Sequence, residues 1–222
     1  MNLEEFKNQF ICGELGIPKD YGRIFSFIDF SNVNKWFEND NQGLNNKLLT
    51  ADDKLAIDLQ KLKSFADIFS TRSRIYYGED PKSSRSLSFT YVMREIFGKR
   101  NMVTKDLQRI RHYVGLDNVD IIKTVVANED GRNYVEVRKC NFDVEISVDA
   151  IKMINHYEIF CIFSGDADFV YLNNFLRKMG KKIIVIKGGY VTAKLKESAN
   201  LVINAQDIKK YIIRVIKKQR PD

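Results

Sequence analysis

The run Ile159-Phe160-Cys161-Ile162-Phe163 contains no strongly polar residue, and it breaks abruptly into Ser164-Gly165-Asp166-Ala167-Asp168. A strand with one wet face alternates apolar and polar residues, whereas an unbroken apolar run belongs to a strand covered on both faces. A helical pattern from Phe169 to Met179 follows, then a further apolar run from Lys182 to Ile186. Strand, turn, helix and strand in that succession form the unit of a parallel sheet packed between helices. An earlier run, Ile24-Phe25-Ser26-Phe27-Ile28, ends in Asp29, with Ser31 and Asn32 just beyond. Carboxylates thus stand at the carboxyl ends of buried strands, the rim at which open α/β sheets take their ligands.

The remaining chain extends this pattern. A short amphipathic helix is predicted from Leu3 to Leu15, ending near Gly16 and Pro18, and the Asn-rich stretch Asn39 to Lys47 reads as a loop. Asp52 and Asp53 open a helical pattern through Phe69, with Leu55, Leu59, Leu62 and Phe65 as one stripe. Arg74 to Tyr77 reads as a strand, and Ser86 to Phe97 as a helix stopped by Gly98. Asp120 to Val126 and Tyr134 to Arg138 flank a hairpin signal at residues 128–132. Asp143 opens a helix through His156 whose apolar face is Val144, Val148, Ile151 and Ile154. Thr192 to Ser198, a strand Leu201 to Ile203 and a basic helix over about 206–218 complete the chain. No internal repeat or long linker divides the 222 residues, so one domain is expected over 1–222. Its core spans about 23–208, with a helical insertion after the first strand over about 38–115.

The net charge of +7 is unevenly placed. Residues 171–222 hold thirteen Lys/Arg and three Asp/Glu, while the preceding 170 residues hold 23 basic and 26 acidic side chains. An acidic site beside a basic flank suits a polyanion such as nucleic acid, although a solvated basic helix has the same composition. Three scattered cysteines and two histidines supply no zinc motif. No segment has the length of a membrane span, and the acidic start of the chain does not resemble a secretory signal. A cytoplasmic protein with no membrane partner is expected, and a homo-oligomer is left open.

Asp29, Asp143, Asp149, Asp166 and Asp168 are the acids to assemble. Asp143 and Asp168 also suit plain helix capping, a role that leaves Asp166 unexplained. Two carboxylates about 5 Å apart repel by roughly 3 kcal/mol at an effective dielectric near 20. Several such acids therefore hold protons or spread apart unless a cation joins them. Oxygen ligands without His or Cys favour Mg²⁺ or Mn²⁺.

Three blocks, Phe27-Ile28-Asp29-Phe30-Ser31-Asn32, Asp143-Val144-Glu145-Ile146-Ser147-Val148-Asp149 and Ser164-Gly165-Asp166-Ala167-Asp168-Phe169, resemble the NYN family of PIN-like nuclease domains. The bacterial LabA-like, DUF88-type branch is the nearest in appearance, and Leu176-Arg177-Lys178-Met179-Gly180-Lys181-Lys182-Ile183 fits it too. The resemblance implies a Rossmann-like three-layer α/β/α sandwich and Mg²⁺- or Mn²⁺-dependent cleavage of RNA, as an endonuclease. It casts Asp29, Asp149, Asp166 and Asp168 as metal ligands and Asp143 as a supporting acid. Asn32 would orient Asp29 or a water on the metal, and Ser164 would hydrogen-bond at the pocket mouth. The chain departs from the family pattern at Asn200, where an Asp is common, and at Cys140-Asn141, where Lys-Gly is usual and Lys139 is displaced by one. Lys181, Lys182, Lys187, Lys194 and Lys196 follow the Asp166 strand and are candidates for tracking a nucleic-acid backbone.

Other folds with paired acids fit less well. A haloacid-dehalogenase-like phosphatase needs a second acid two residues after Asp29, where this chain has Ser31. A Toprim-type site begins with Glu rather than Asp, and neither a GxGxxG motif nor a P-loop occurs. An RNA-binding or regulatory module with a degenerate site is the remaining alternative.

Overall fold

In the computed structural model, residues 3–18, 20–44, 47–113, 127–129 and 132–218 are described. In chain order the strands are β1 (Ile24–Asp29), β2 (Asp53–Ile57), β3 (Arg72–Glu79), β4 (Met102–Asp106), β5 (Gln108–Tyr113), β6 (Ala127–Glu129), β7 (Arg132–Lys139), β8 (Ile159–Phe163), β9 (Lys182–Lys187), β10 (Leu201–Asn204) and β11 (Ile213–Lys217). The helices are α1 (Leu3–Gln9), α2 (Phe30–Val33), α3 (Leu59–Phe69), α4 (Ser84–Phe97), α5 (Asp143–Lys152), α6 (Phe169–Lys178), α7 (Ala193–Glu197) and α8 (Ala205–Ile212).

Six strands form the central sheet in the order β10-β9-β8-β1-β3-β4, and every neighbouring pair is parallel. The unbroken apolar runs form its middle, and all five residues of β8 are buried. Successive side chains go to opposite faces. Ile28, Ile75, Phe163 and Ile186 join α3, α4 and α8 in one core, whereas Phe27, Tyr76, Ile162 and Val185 join α5 and α6 in the other. The result is the three-layer α/β/α sandwich expected. From β1 the chain builds outward through β3 and β4, then returns to lay β8, β9 and β10 on the other side. The strand order therefore reverses between β1 and β8, and a crevice opens outside their carboxyl ends at that point.

Four sequence expectations change. The pattern over 52–69 is not one helix: Lys54-Leu55-Ala56-Ile57 alternates, burying Leu55 and Ile57 in β2. Asp58 then caps α3 by accepting the Lys61 backbone N–H at 3.1 Å. The expected basic helix over 206–218 stops at Ile212, where the β-branched Ile213, Val215 and Ile216 enter β11, antiparallel to β2. The span 38–115 is not set apart as an insertion, because it supplies β3 and β4 to the central sheet. On α5 the inward residues are Ile146 and Ala150, while Val144, Val148 and Ile151 face outward, Val144 at 71% exposure. The expected Asp120 to Val126 strand lies outside the described residues. The hairpin is present as an antiparallel β6–β7 pair, Glu129 opposite Arg132.

Candidate active site

Asp29 is the last residue of β1 and is 6% exposed. Its Oδ1 accepts from the Ser31 hydroxyl at 2.6 Å and the Asn32 backbone N–H at 3.4 Å, while Oδ2 accepts from the Ser164 hydroxyl at 3.3 Å. Burial nevertheless pushes its pKa above the ordinary carboxylate value, with these hydrogen bonds opposing the rise. Ser164 also accepts the Asp166 backbone N–H at 3.2 Å, so one hydroxyl ties the end of β1 to the loop after β8.

Asp143, Asp166 and Asp168 bring carboxylate oxygens within 4.8 Å of one another. Capping does not account for them. Asp168 stands at the N-cap of α6 without a side-chain bond to that helix, and its own N–H goes to Asp166 Oδ1 at 3.0 Å. Asp143 begins α5, and its N–H is taken by Asn141 Oδ1 at 2.8 Å. Its pKa is raised by burial first, then by the neighbouring charges of Asp166, Asp168 and Asp29. Among the described residues no lysine or arginine forms an ion pair with Asp143, Asp166 or Asp168. Three converging carboxylates without a basic partner are a donor set that fits a hard divalent cation.

A cavity of about 460 Å³ opens beside these acids, lined by Asp29, Asn32, Lys35, Lys139, Asp143 and Asp166 among others. Asn32 belongs to this wall. Asp149, expected as a metal ligand, lies apart from the cluster: Tyr76 donates to it at 2.8 Å and Arg74 Nε pairs with it at 3.3 Å. Its helix position explains the difference, since Asp149 precedes the inward Ala150 deep in α5 whereas Asp143 is at the mouth. Asn200 is remote from the acids. It pairs through its side chain and backbone with Ile183, at the amino end of β9, with 2.8 and 2.9 Å bonds. An acid there would face the opposite rim of the sheet, so this departure from the family pattern removes no ligand.

The five lysines divide in the same way. Lys181 binds the Tyr157 carbonyl at 2.7 Å and Lys182 lies 4.2 Å above the Tyr21 ring, both at the amino end of β9 and away from the acids. Lys187 ends β9 on the site's side and donates to the Gly189 carbonyl at 2.7 Å. Lys194 and Lys196 are exposed on α7. Lys35 and Lys139, which do line the cavity, were not among the expected contacts. Lys35 sits three residues after Asn32, a spacing that one helical turn would bring round, and it is the only available sequence signal.

An α/β/α sandwich with an all-parallel central sheet and an acidic crevice at its switch point is consistent with a PIN-like α/β domain. The NYN domain family matches residues 23–207, and the chain belongs to that family. A stretch of 103 residues, 46% of the chain, is 27% identical to the low amplitude and bright protein LabA of Synechococcus elongatus. The matched stretch spans about half, 53%, of that relative's length. The crystal structure of a protein of unknown function, VPA0982 from Vibrio parahaemolyticus, superposes with a TM-score of 0.51 at 14% identity, covering 88% of this chain and 99% of the other. That likeness is one of fold. Among the described residues, no helix is long and apolar enough to cross a membrane.

Proposed function

We propose that the protein is a metal-dependent nuclease that hydrolyses phosphodiester bonds in RNA, with Asp143, Asp166 and Asp168 holding Mg²⁺ or Mn²⁺. The carrying observation is the convergence of those three carboxylates within 4.8 Å at the β1–β8 crevice, without a basic partner among the described residues. NYN nucleases typically use a divalent metal, which agrees with that donor set. A cation bound there would supply Lewis-acid polarisation of a phosphoryl oxygen and acidify a water molecule.

The chain's own residues do the rest. Ser31 and Ser164 fix both oxygens of Asp29 at the crevice floor, where it adds a fourth carboxylate beside the cluster. Ser164 holds the Asp166 backbone, so the acid pair keeps its spacing when substrate arrives. Lys35 and Lys139 line the cavity, and in this reading their ammonium groups would contact backbone phosphates of the substrate. Lys187, at the carboxyl end of β9, and the exposed Lys194 and Lys196 of α7 would be further backbone contacts.

Labelled single-stranded and structured RNA and DNA, incubated with the protein in Mn²⁺, Mg²⁺ or EDTA, test the reading. Cleavage that requires the cation and disappears in Asp166→Asn is expected. Absence of cleavage, or cleavage unchanged in both Asp29→Asn and Asp166→Asn, removes the nuclease and leaves an RNA-binding module, which would still retard RNA in EDTA.

A further inference from the structure

The carbonyl oxygen of Asn32 is fully engaged. It accepts the Trp36 indole Nε1–H at 2.9 Å and the Gly165 backbone N–H at 3.2 Å. Both partners can only donate, so the amide has one possible orientation: rotated by half a turn, its NH₂ group would face two N–H donors. The Nδ2 amino group is then left without a protein acceptor among the described residues, on the wall of the cavity that Asp29 and Asp166 also line. An asparagine ligates a metal through its oxygen, and that oxygen is already occupied by two N–H donors. What it presents to the cavity is a donor, which suits an anionic oxygen.

We propose, resting on the phosphodiesterase reading above, that Asn32 binds a non-bridging phosphate oxygen of the substrate through Nδ2 and is not a metal ligand, and that Trp36 is the positioning residue that fixes this orientation. Trp36 is itself held from two sides. Its ring stacks with Phe163 at 6.4 Å and 8°, at the end of β8. It also fills the space at Gly188, where a Cβ would come within 2.4 Å of the indole Cδ1. The segments after β1, β8 and β9 therefore meet on one indole, and its N–H transmits their position to Asn32. This explains why a glycine follows β9 at that point: any larger residue would displace the ring.

The test uses the full chain and two simple probes, Mn²⁺ alone and inorganic phosphate in the presence of Mn²⁺, each titrated by calorimetry. Trp36 is the chain's only tryptophan, so its emission gives a second readout of phosphate binding in the native protein. In Asn32→Ala, Mn²⁺ affinity is expected to hold while phosphate affinity drops about tenfold or more, the size of a hydrogen bond to a charged group. Asn32→Asp, which adds a negative charge to the cavity, should lose phosphate affinity further without losing Mn²⁺. Trp36→Phe keeps the ring and the stacking but removes Nε1–H. It should melt near the native temperature, hold Mn²⁺, and lose phosphate affinity in the same direction. A loss of Mn²⁺ affinity in Asn32→Ala, or unchanged phosphate affinity in both Asn32 variants, overturns the assignment. Native phosphate affinity in Trp36→Phe overturns the part given to Trp36. A native protein that binds phosphate through Asn32 yet cleaves no nucleic acid would sink the nuclease reading and leave this contact standing.

Discussion

The hydroxyl of Tyr76 donates to Asp149 Oδ2 across 2.8 Å, and the Arg74 guanidinium sits 3.3 Å from the same oxygen. Tyr76 is fully buried under α5, and its pKa is raised by burial first and by the Asp149 charge second, so it stays a donor at ordinary pH. Asp149 thereby fastens α5 to β3 rather than reaching toward Asp166.

Tyr76→Phe should lower stability by about 1–2 kcal/mol while leaving Mn²⁺ binding and nuclease activity unchanged. In a chain of this size that is a fall of roughly 2–8 °C in Tm. Asp149→Asn should behave alike. Loss of Mn²⁺ binding in a folded Asp149→Asn protein would contradict the placement of that carboxylate.

Asp166→Asn removes a carboxylate from the three-acid cluster and should abolish measurable Mn²⁺ binding. Ser164→Ala keeps every acid but frees Asp29 Oδ2 and the Asp166 backbone. Its cost should be smaller, about 10–100-fold in metal affinity or activity, as for groups that hold ligands in place. Calorimetry and initial rates on the two variants give the order, and equal losses in both would count against it.

Asp29 and Asp143 have folded-state pKa values raised above the ordinary carboxylate value. A raised acid binds its proton more tightly in the folded state, so its contribution to stability is full below the unfolded pKa. That contribution is lost as pH rises through the raised folded value. Melting in EDTA should show this loss just above pH 3.8, the ordinary value. Mn²⁺ competes for the same oxygens, so its affinity should climb with pH through that range and saturating metal should flatten the loss. Metal affinity independent of pH there would exclude both acids from the site.

Lysine contacts are separable by salt. Each phosphate contact to a single strand contributes about 0.7 to the slope of log affinity against log salt. Lys35→Ala and Lys139→Ala should each lower that slope for RNA binding, because both side chains line the cavity. Lys181→Ala and Lys182→Ala should leave it unchanged, since those amines are occupied at the opposite rim. A fluorescence-anisotropy salt series distinguishes the two pairs.

Much of the sandwich was legible because its central strands are continuous apolar runs and because Gly98, at φ 80°, marks a true helix stop. The acids at the ends of β1 and β8 were legible for the same reason: a strand that ends fixes where the next side chain stands. Choosing between Asp143 and Asp149 was not possible from spacing. The stripe Val144, Val148 and Ile151 outweighs Ile146 and Ala150 in hydrophobicity, yet the smaller pair faces the sheet, and this turns Asp149 toward β3. β2 and β11 were misread as helix because each acquires its strand pairing only from the other, across most of the domain's sequence. The Trp36–Asn32 bond was equally invisible, since it depends on the room left by Gly188.

The placement of β8 beside β1 has a consequence for synthesis. β1, β3 and β4 can assemble as soon as they leave the ribosome, but the other edge of β1 has its partner only in residues 159–163. Until then the buried-type strand Ile24–Asp29 presents open backbone groups in an apolar setting, the kind of edge that recruits stray strands. Chains truncated before Ile159 should therefore aggregate. The acidic cluster is completed by the same docking event that closes this edge, so a half-made protein carries the hazard without the site.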